Sequence, residues 1–573
     1  MSYLHESRAG SSSSLLRNSA ADHSDSPYSS AMGSARSSRV GAMSGQFSLP
    51  SDPNHWGSNL SPLITEVDDD LHDPRRPDKL SNPFAGRALA NLGCLLILMA
   101  ALLMLFIGYP ILTYVQKYQA EQHGLNTALG VNASGQVPSL GNWGLIDLDT
   151  PDDAFTTKSL RDGSEWQLIF SDEFNEDGRT FYPGDDPFWE AVDLHYWATN
   201  NMEWYDPAAI TTKDGSLVIT FSQKETHDLQ YQGGMMSTWN KFCFTGGMIQ
   251  VSLQLPGINN VVGLWPAVWA MGNLGRAGYG ATLDGTWPYT YDACDVGTVA
   301  NQTVNGLPAA AAQDGPADSN FALSYLPGQK LSRCTCDGES HPGPRHKDGS
   351  YVGRGAPEID VLEAQVSDEE GEVSQSAQWA PFNDKYVWKN TSDNLIINDD
   401  STSRLNSYIG GSTQQATSVV TKTNQHCYEL AANPCFSTYG FEYQPGFDDA
   451  YVSWMSDSKQ AWTINADGVG PDSAVEISAR PVPQEPMYLL INLGMSKNFG
   501  EVDLAHLTFP AHMSIDWIRV YQDPKKINVG CDPSEFPTAE YINTYKEAYT
   551  NPNFTTWEEF GQTFPKNSFT QSC

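Results

Sequence analysis

The chain has 573 residues and a net charge of −35, with 33 Lys and Arg against 68 Asp and Glu. A surface this acidic repels nucleic acid and anionic lipid, which excludes both as electrostatic partners and leaves a neutral ligand or an acidic working pH. The length allows several domains, and the composition changes along the chain.

Residues 1–87 are rich in Ser, Pro and Gly and poor in large apolar residues, with 8 basic and 10 acidic side chains. Such a segment buries too little to fold, so it is expected to be a disordered tail. Ala88 to Val115 follows, 28 residues without a charge. That length suits a transmembrane helix, and it lies too far from the N-terminus for a cleaved signal peptide. Arg75, Arg76, Lys79 and Arg87 precede the span and Lys117 follows it. The positive-inside rule then places the tail in the cytoplasm and the C-terminal part in the secretory lumen or outside the cell, as a single-pass type II membrane protein. Cysteine usage agrees: Cys94 lies in the span, and the other eight suit up to four disulfides, with Cys427–Cys435 a local pair. On the same side Asn132, Asn301, Asn390 and Asn553 each open a glycosylation sequon.

Residues 116–165 read as a stalk and lead-in. From Trp166 the pattern becomes short aromatic and β-branched runs between turn residues: WQLIFSDEF, GSLVITFSQ, GMIQVSLQLPG, AYVSWMSD, PMYLLINLGM and SIDWIRVYQ. Each is strand length, and no long helical period interrupts them, so residues 166–525 are expected to form an all-β sandwich. Residues 296–352 carry little strand signal and read as an insertion; residues 526–573 read as an extension held by Cys531 and Cys573. Cys334, Cys336 and His341 raise a metal site, but in an oxidising lumen a disulfide is the stronger reading of the cysteines.

The chemistry concentrates in APEIDVLEA, residues 356–364. Glu358 and Asp360 share a strand face; Glu363 falls on the other unless one residue is absorbed between them. A β-bulge absorbs it and makes the three acids co-facial. Two inward glutamates then lie about 5 Å apart, the spacing of a retaining glycosidase's nucleophile and acid/base, with Asp360 tuning the nucleophile. A solvated acidic edge or a Ca²⁺ loop is the alternative; two acids and a third on one strand supply few converging ligands, so no cofactor is assigned and structural Ca²⁺ ranks last.

Aromatic residues make up 11% of the chain and cluster with amides and acids in WATNNMEWYDP, GLWPAVWAMG and GTWPY. Sugar rings stack C–H faces on aromatics and present hydroxyls to amides and carboxylates. Asn200, Asn201, Glu203, Trp204, Trp265, Trp269 and Trp287 are therefore candidate glycan contacts. Core packing and cleft lining stay open for Trp265 and Trp269. Two adjacent amides, Asn200 and Asn201, are costly to bury unpaired and point to a ligand.

The ordered set SDEFN, NNMEWY, GGMIQVSLQLPG, GLWPAVWAMG, EIDVLE, YGFEYQPG, YLLINLG and IDWIRVYQ, spanning 166–522, resembles glycoside hydrolase family 16, the jelly-roll, concanavalin-like enzymes that include laminarinases. The resemblance implies Glu358 as nucleophile, Asp360 as its helper and Glu363 as acid/base. With its tail and span, the layout resembles the fungal type II membrane proteins required for β-1,6-glucan synthesis. That implies a β-glucan substrate and a role in building the cell wall. The linkage comes from the likeness alone. One departure stands out: Trp269 and Glu358 are separated by a long loop, where laminarinases have a short one. The two readings carried forward are a retaining glycosidase or transglycosylase and a non-catalytic β-glucan-binding or assembly scaffold on the same fold.

Overall fold

The computed structural model describes residues 86–104, 106, 109 and 144–573, with backbone alone for 86–92 and 318. The expected tail up to residue 85 and the lead-in from 116 to 143, with Asn132, lie outside the described residues. A helix runs Gly86–Leu103, through the first part of the expected span. Most of the remaining span is likewise outside, and among the described residues no helix is long and apolar enough to cross a membrane.

Alternating apolar runs give two ten-stranded, mainly antiparallel sheets, as the short strand-length runs lead one to expect. In the outer sheet Ala511–Gln522 lies between Glu165–Asp172 and Gly247–Gln254, and Ser437–Gln444, Tyr451–Ser456 and Lys459–Asn465 follow in turn. The cleft sheet runs Ser403–Leu405, Gln415–Lys422, Glu370–Trp379, Glu358–Ser367, Trp265–Gly272, Met487–Gly494, Tyr231–Ser237, Glu203–Tyr205 and Leu194–His195. Val268, Ala270, Ile359, Val361, Leu489 and Ile491 from the cleft sheet share one core with Ile249, Val251, Phe441, Val452 and Trp454 from the outer sheet. This is the face-to-face packing of a β-sandwich.

The long connection between Gly272 and Glu358 forms only short helical turns and isolated bridges among its described residues. Its Tyr289, Tyr291 and Leu323 share a small separate core with Phe382 and Tyr386, which lie in the segment following Glu370–Trp379. Four disulfides form: Cys243–Cys531, Cys294–Cys334, Cys336–Cys573 and the local Cys427–Cys435. Cys334 and Cys336 are thus consumed as disulfides, and no metal-holding group of His, Cys, Asp and Glu occurs among the described residues.

Candidate active site

The acidic strand carries the expected bulge. Asp360 pairs with Trp269 and Leu362 with Val268, so Val361 has no partner on the neighbouring strand. On the other side Asp360 pairs with Ser376 and Glu363 with Ser374, leaving Val361 and Leu362 opposite Gln375 alone. The sequence dictates this: two consecutive apolar side chains, Val361 and Leu362, both enter the core. Burying both forces the chain to slip by one residue, and the slip returns Glu363 to the face of Glu358 and Asp360.

A bulge strips the ladder of hydrogen bonds and leaves buried carbonyls to satisfy. Two side chains from below do so. The Trp454 indole N–H donates to the Asp360 carbonyl at 2.7 Å. The fully buried Gln375 donates through Nε2 to the Val361 carbonyl at 3.0 Å and to that of Met455 at 2.9 Å. Trp462 stacks on Trp454 with ring centres 4.1 Å apart and holds the indole in place. Gln375 and Trp454 were not singled out from the sequence. The available signal is a polar residue at a core-facing position of an alternating strand.

Above the bulge each acid has its own donor. Trp287 donates Nε1–H to Glu358 Oε2 at 2.6 Å. Trp265 donates Nε1–H to Glu363 Oε1 at 3.1 Å and stacks on Phe499, ring centres 4.3 Å apart. Asp360, 1% exposed, accepts on Oδ2 from Ser376 Oγ at 2.7 Å and Gln378 Nε2 at 3.0 Å. Glu358 and Asp360 are also hydrogen-bonded to each other. The two glutamates keep part of their surface open and are enclosed elsewhere, the geometry of a cleft floor.

Burial, first of all, and then the charges of Asp360 and Glu363 push the Glu358 carboxyl well above its usual range. Burial and the charge of Asp360 raise Glu363 to about 8. Burial raises Asp360 too, only to about 6, because Ser376, Gln378 and Glu358 donate to it. Three acids this close do not all ionise near neutrality. Glu358 and Asp360 share the proton of their hydrogen bond and titrate as a coupled pair, and burial shifts Glu363 towards its protonated form. Burial and the neighbouring glutamate charges also raise the Tyr408 and Tyr196 hydroxyls, marking two phenols near the acids that the sequence did not flag.

Trp265, Trp269 and Trp287 thus gather at the acids. Trp269 leans inward, 8% exposed, and donates Nε1–H to Asn492 Oδ1 at 2.8 Å. The other candidates sit differently. Asn201 and Glu203 are buried, Glu203 completely, and offer no surface to a sugar. The premise that amides are costly to bury unpaired holds, but Asn201 is paired: its Nδ2 donates to Glu203 Oε1 at 2.6 Å and to Tyr205 Oη at 3.0 Å. Asn492 Nδ2 donates to the same Tyr205 oxygen at 3.2 Å, so a buried chain links Glu203 to Trp269. Glu203 Oε2 accepts from the Met495 N–H at 3.0 Å. A Cβ on Gly494 would lie 2.7 Å from both Glu203 Oε1 and Tyr205 Oη, so this chain requires glycine there. With no cation beside it, burial raises Glu203 to about 8. Trp204 faces away from Glu203, donates to Asp193 Oδ1 at 2.6 Å and stacks on His227 at 4.2 Å. Its strand is four positions from the acidic one, about 19 Å. Asn200 is exposed in a left-handed turn, φ 54°.

The turn that delivers Trp287 is gripped by the C-terminal extension. The Ala281 N–H donates to the Phe554 carbonyl at 3.0 Å, and Arg276 Nη1 to that of Tyr549 at 2.7 Å. Asp284 accepts from the Trp557 N–H at 3.0 Å and from the buried Lys330, which lies over the Trp557 and Phe564 rings.

Fold and site together define a two-sheet β-sandwich with a triple-acid, bulged cleft strand. The chain belongs to the family described as beta-glucan synthesis-associated protein SKN1/KRE6/Sbg1, whose model matches residues 59–573. It is 43% identical over 85% of its length to the beta-glucan synthesis-associated protein KRE6 of Saccharomyces cerevisiae, of which it spans 64%. It is 40% identical over 99% of its length to KRE6 of Candida albicans, spanning 73% of that protein. The catalytic domain of an endo-1,3-beta-glucanase (laminarinase) from Thermotoga petrophila RKU-1 aligns with 63% of this chain and 98% of its own, at 19% identity and a TM-score of 0.35.

Proposed function

We propose that this domain is a retaining β-glucan glycosidase or transglycosylase that serves β-1,6-glucan formation in a fungal cell wall. The observation that carries the reading is the bulge at Val361, which sets Asp360 between two glutamates on one cleft face. Glu358 attacks the anomeric carbon while Glu363 gives its proton to the departing glycosidic oxygen. As Glu358 becomes an ester, the proton it shared stays with Asp360. Glu363, now ionised, takes the proton of an incoming hydroxyl, whose oxygen attacks the same carbon and frees Glu358. Water as acceptor gives hydrolysis; a sugar hydroxyl gives chain transfer, which suits a wall-building protein. Trp265, Trp269 and Trp287 line the sugar site, and no cofactor takes part.

The chain is read as a type II membrane protein anchored by residues 88–115, with this domain in the secretory lumen or at the cell surface. Four disulfides fit an oxidising compartment. Asn301, Asn390 and Asn553 are exposed and open to glycan transfer.

The test is Glu358→Gln in the luminal domain with an unchanged melting temperature. Turnover of β-glucan oligosaccharides is expected to fall by about a thousandfold or more, and a fluorinated glucoside is expected to label Glu358 in the wild type. Equal turnover in the two proteins refutes the enzyme. A Glu358→Gln/Glu363→Gln double variant that still supports wall assembly in cells, at normal protein level, establishes the scaffold in its place.

A further inference from the structure

The cleft face continues beyond the acids. Gln378 pairs with Glu358 and Ser376 with Asp360; one strand further out, Ala416 pairs with Gln378 and Ser418 with Ser376. Directly paired residues share a face, so Ala416 and Ser418 lie on the face of the acids, two strand spacings or about 10 Å away. There an open, shallow pocket lies over them. Its walls include Trp388, Leu405, Asn406, Tyr408 and Ile409.

Those walls come from residues 380–414, which join two neighbouring antiparallel strands. A hairpin needs about two to five residues there; this excursion instead adds Leu395–Ile397 to the edge of the outer sheet and Ser403–Leu405 to the edge of the cleft sheet. The long connection before the acidic strand braces it: the Tyr325 N–H donates to the Ser412 carbonyl at 2.8 Å, and the Tyr386 hydroxyl to the Leu323 carbonyl. Tyr408 is half exposed and fixed at both ends. Its N–H donates to Asn406 Oδ1 at 3.1 Å and its hydroxyl accepts from Gln414 Nε2 at 2.9 Å.

We propose that this pocket is a distal subsite seating one sugar ring of the glucan chain whose reacting ring lies over Glu358 and Glu363, with Tyr408 as the stacking platform. It rests on the reading of the acidic strand as a glucan site. Aromatic and aliphatic walls beside Asn406, Ser418 and the Tyr408 hydroxyl match a ring with apolar faces and an equatorial belt of hydroxyls. No Lys or Arg lines the pocket, so nothing in it selects an anion. Its floor continues the row of Asp360 and Ser376, so a chain laid across the strands from the acids runs into it.

The experiment is calorimetry with β-1,3- and β-1,6-linked gluco-oligosaccharides of increasing length. It uses Glu358→Gln protein, to prevent turnover, produced free of N-glycans because Asn390 stands on the pocket rim. Affinity is expected to step up about tenfold once the chain is long enough to reach the pocket, the scale of an aromatic contact. Adding Tyr408→Ala should abolish that step, adding Tyr408→Phe should keep it, and Ile409→Ser should reduce it, all at unchanged melting temperature. A step that survives both Tyr408→Ala and Ile409→Ser overturns the subsite and leaves the catalytic reading standing. A step lost in these variants, in a protein whose wild type turns over no glucan, upholds the subsite while the catalytic reading fails. Absence of oligosaccharide binding at every length overturns both.

Discussion

The cleft sheet and the strap around it, residues 273–357 with 526–573, are held together by different forces. In the sheet, continuous ladders and an apolar core do the holding, and polar side chains appear where the bulge needs them. The strap has almost no ladder. Its order comes from Cys243–Cys531, Cys294–Cys334 and Cys336–Cys573, and from buried ions such as Arg354 against Glu485 and Lys330 against Asp284. The sheet positions three carboxylates to sub-strand precision, while the strap adds one indole N–H to Glu358. A site that depends on both fails in two distinguishable ways.

The largest break is expected in the strap. Arg354 is buried, donates twice to Glu485 and reaches the Gly343 and Pro537 carbonyls. Arg354→Met leaves the buried Glu485 without its cation, with only the Gly355 N–H as donor, orphans those carbonyls, and should cost about 3–5 kcal/mol in denaturant unfolding. Its mirror in the sheet is Gln375→Leu, which orphans the Val361 and Met455 carbonyls; about 2–4 kcal/mol is expected, with loss of turnover as the bulge relaxes. Trp287→Phe joins the two regions. It removes the donor to Glu358 with little change in shape, and loss of a charge-assisted bond of about 1.5–3 kcal/mol should lower kcat roughly tenfold to a hundredfold at near-native stability. The smallest effect is a slope. Glu203 is neutral in the fold up to about 8 and ionises near 4.5 when unfolded, so the folded state binds the extra proton between those values. Stability should therefore fall as pH rises from about 4.5 towards 8 and then level off. Glu203→Gln should remove its share of that slope in thermal melts at stepped pH, leaving the share of the raised Glu358 and Glu363; an unchanged slope means Glu203 does not contribute to it.

The sheet was legible because period-two alternation is local. WQLIFSDEF, GSLVITFSQ and PMYLLINLGM all became strands, and the slipped spacing of Glu363 foretold the bulge. The strap was not, since its contacts join residues far apart in the chain and no periodicity records them. Trp287 was picked out by its aromatic neighbours, yet nothing in the sequence pairs it with Glu358. The sequence points Asn201 to a ligand because two adjacent amides are costly to bury unpaired, and Glu203 because it lies in the same cluster of aromatics, amides and acids; their partners Tyr205 and Asn492 converge only when the sheet closes.

Strand order has a consequence for biosynthesis. Met487–Gly494 is inserted between Trp265–Gly272 and Tyr231–Ser237, and Ala511–Gln522 between Gly247–Gln254 and Glu165–Asp172. Both sheets therefore wait for their middle. At about 5–20 residues per second, the ribosome takes roughly twenty to seventy seconds to travel from the first of these neighbours to the last insert. For that interval the nascent chain holds open, apolar strand edges, the state most prone to pairing with the wrong molecule. Completion of the sandwich is a late, all-or-none event, and chaperones of the compartment where it emerges have to guard the chain until then.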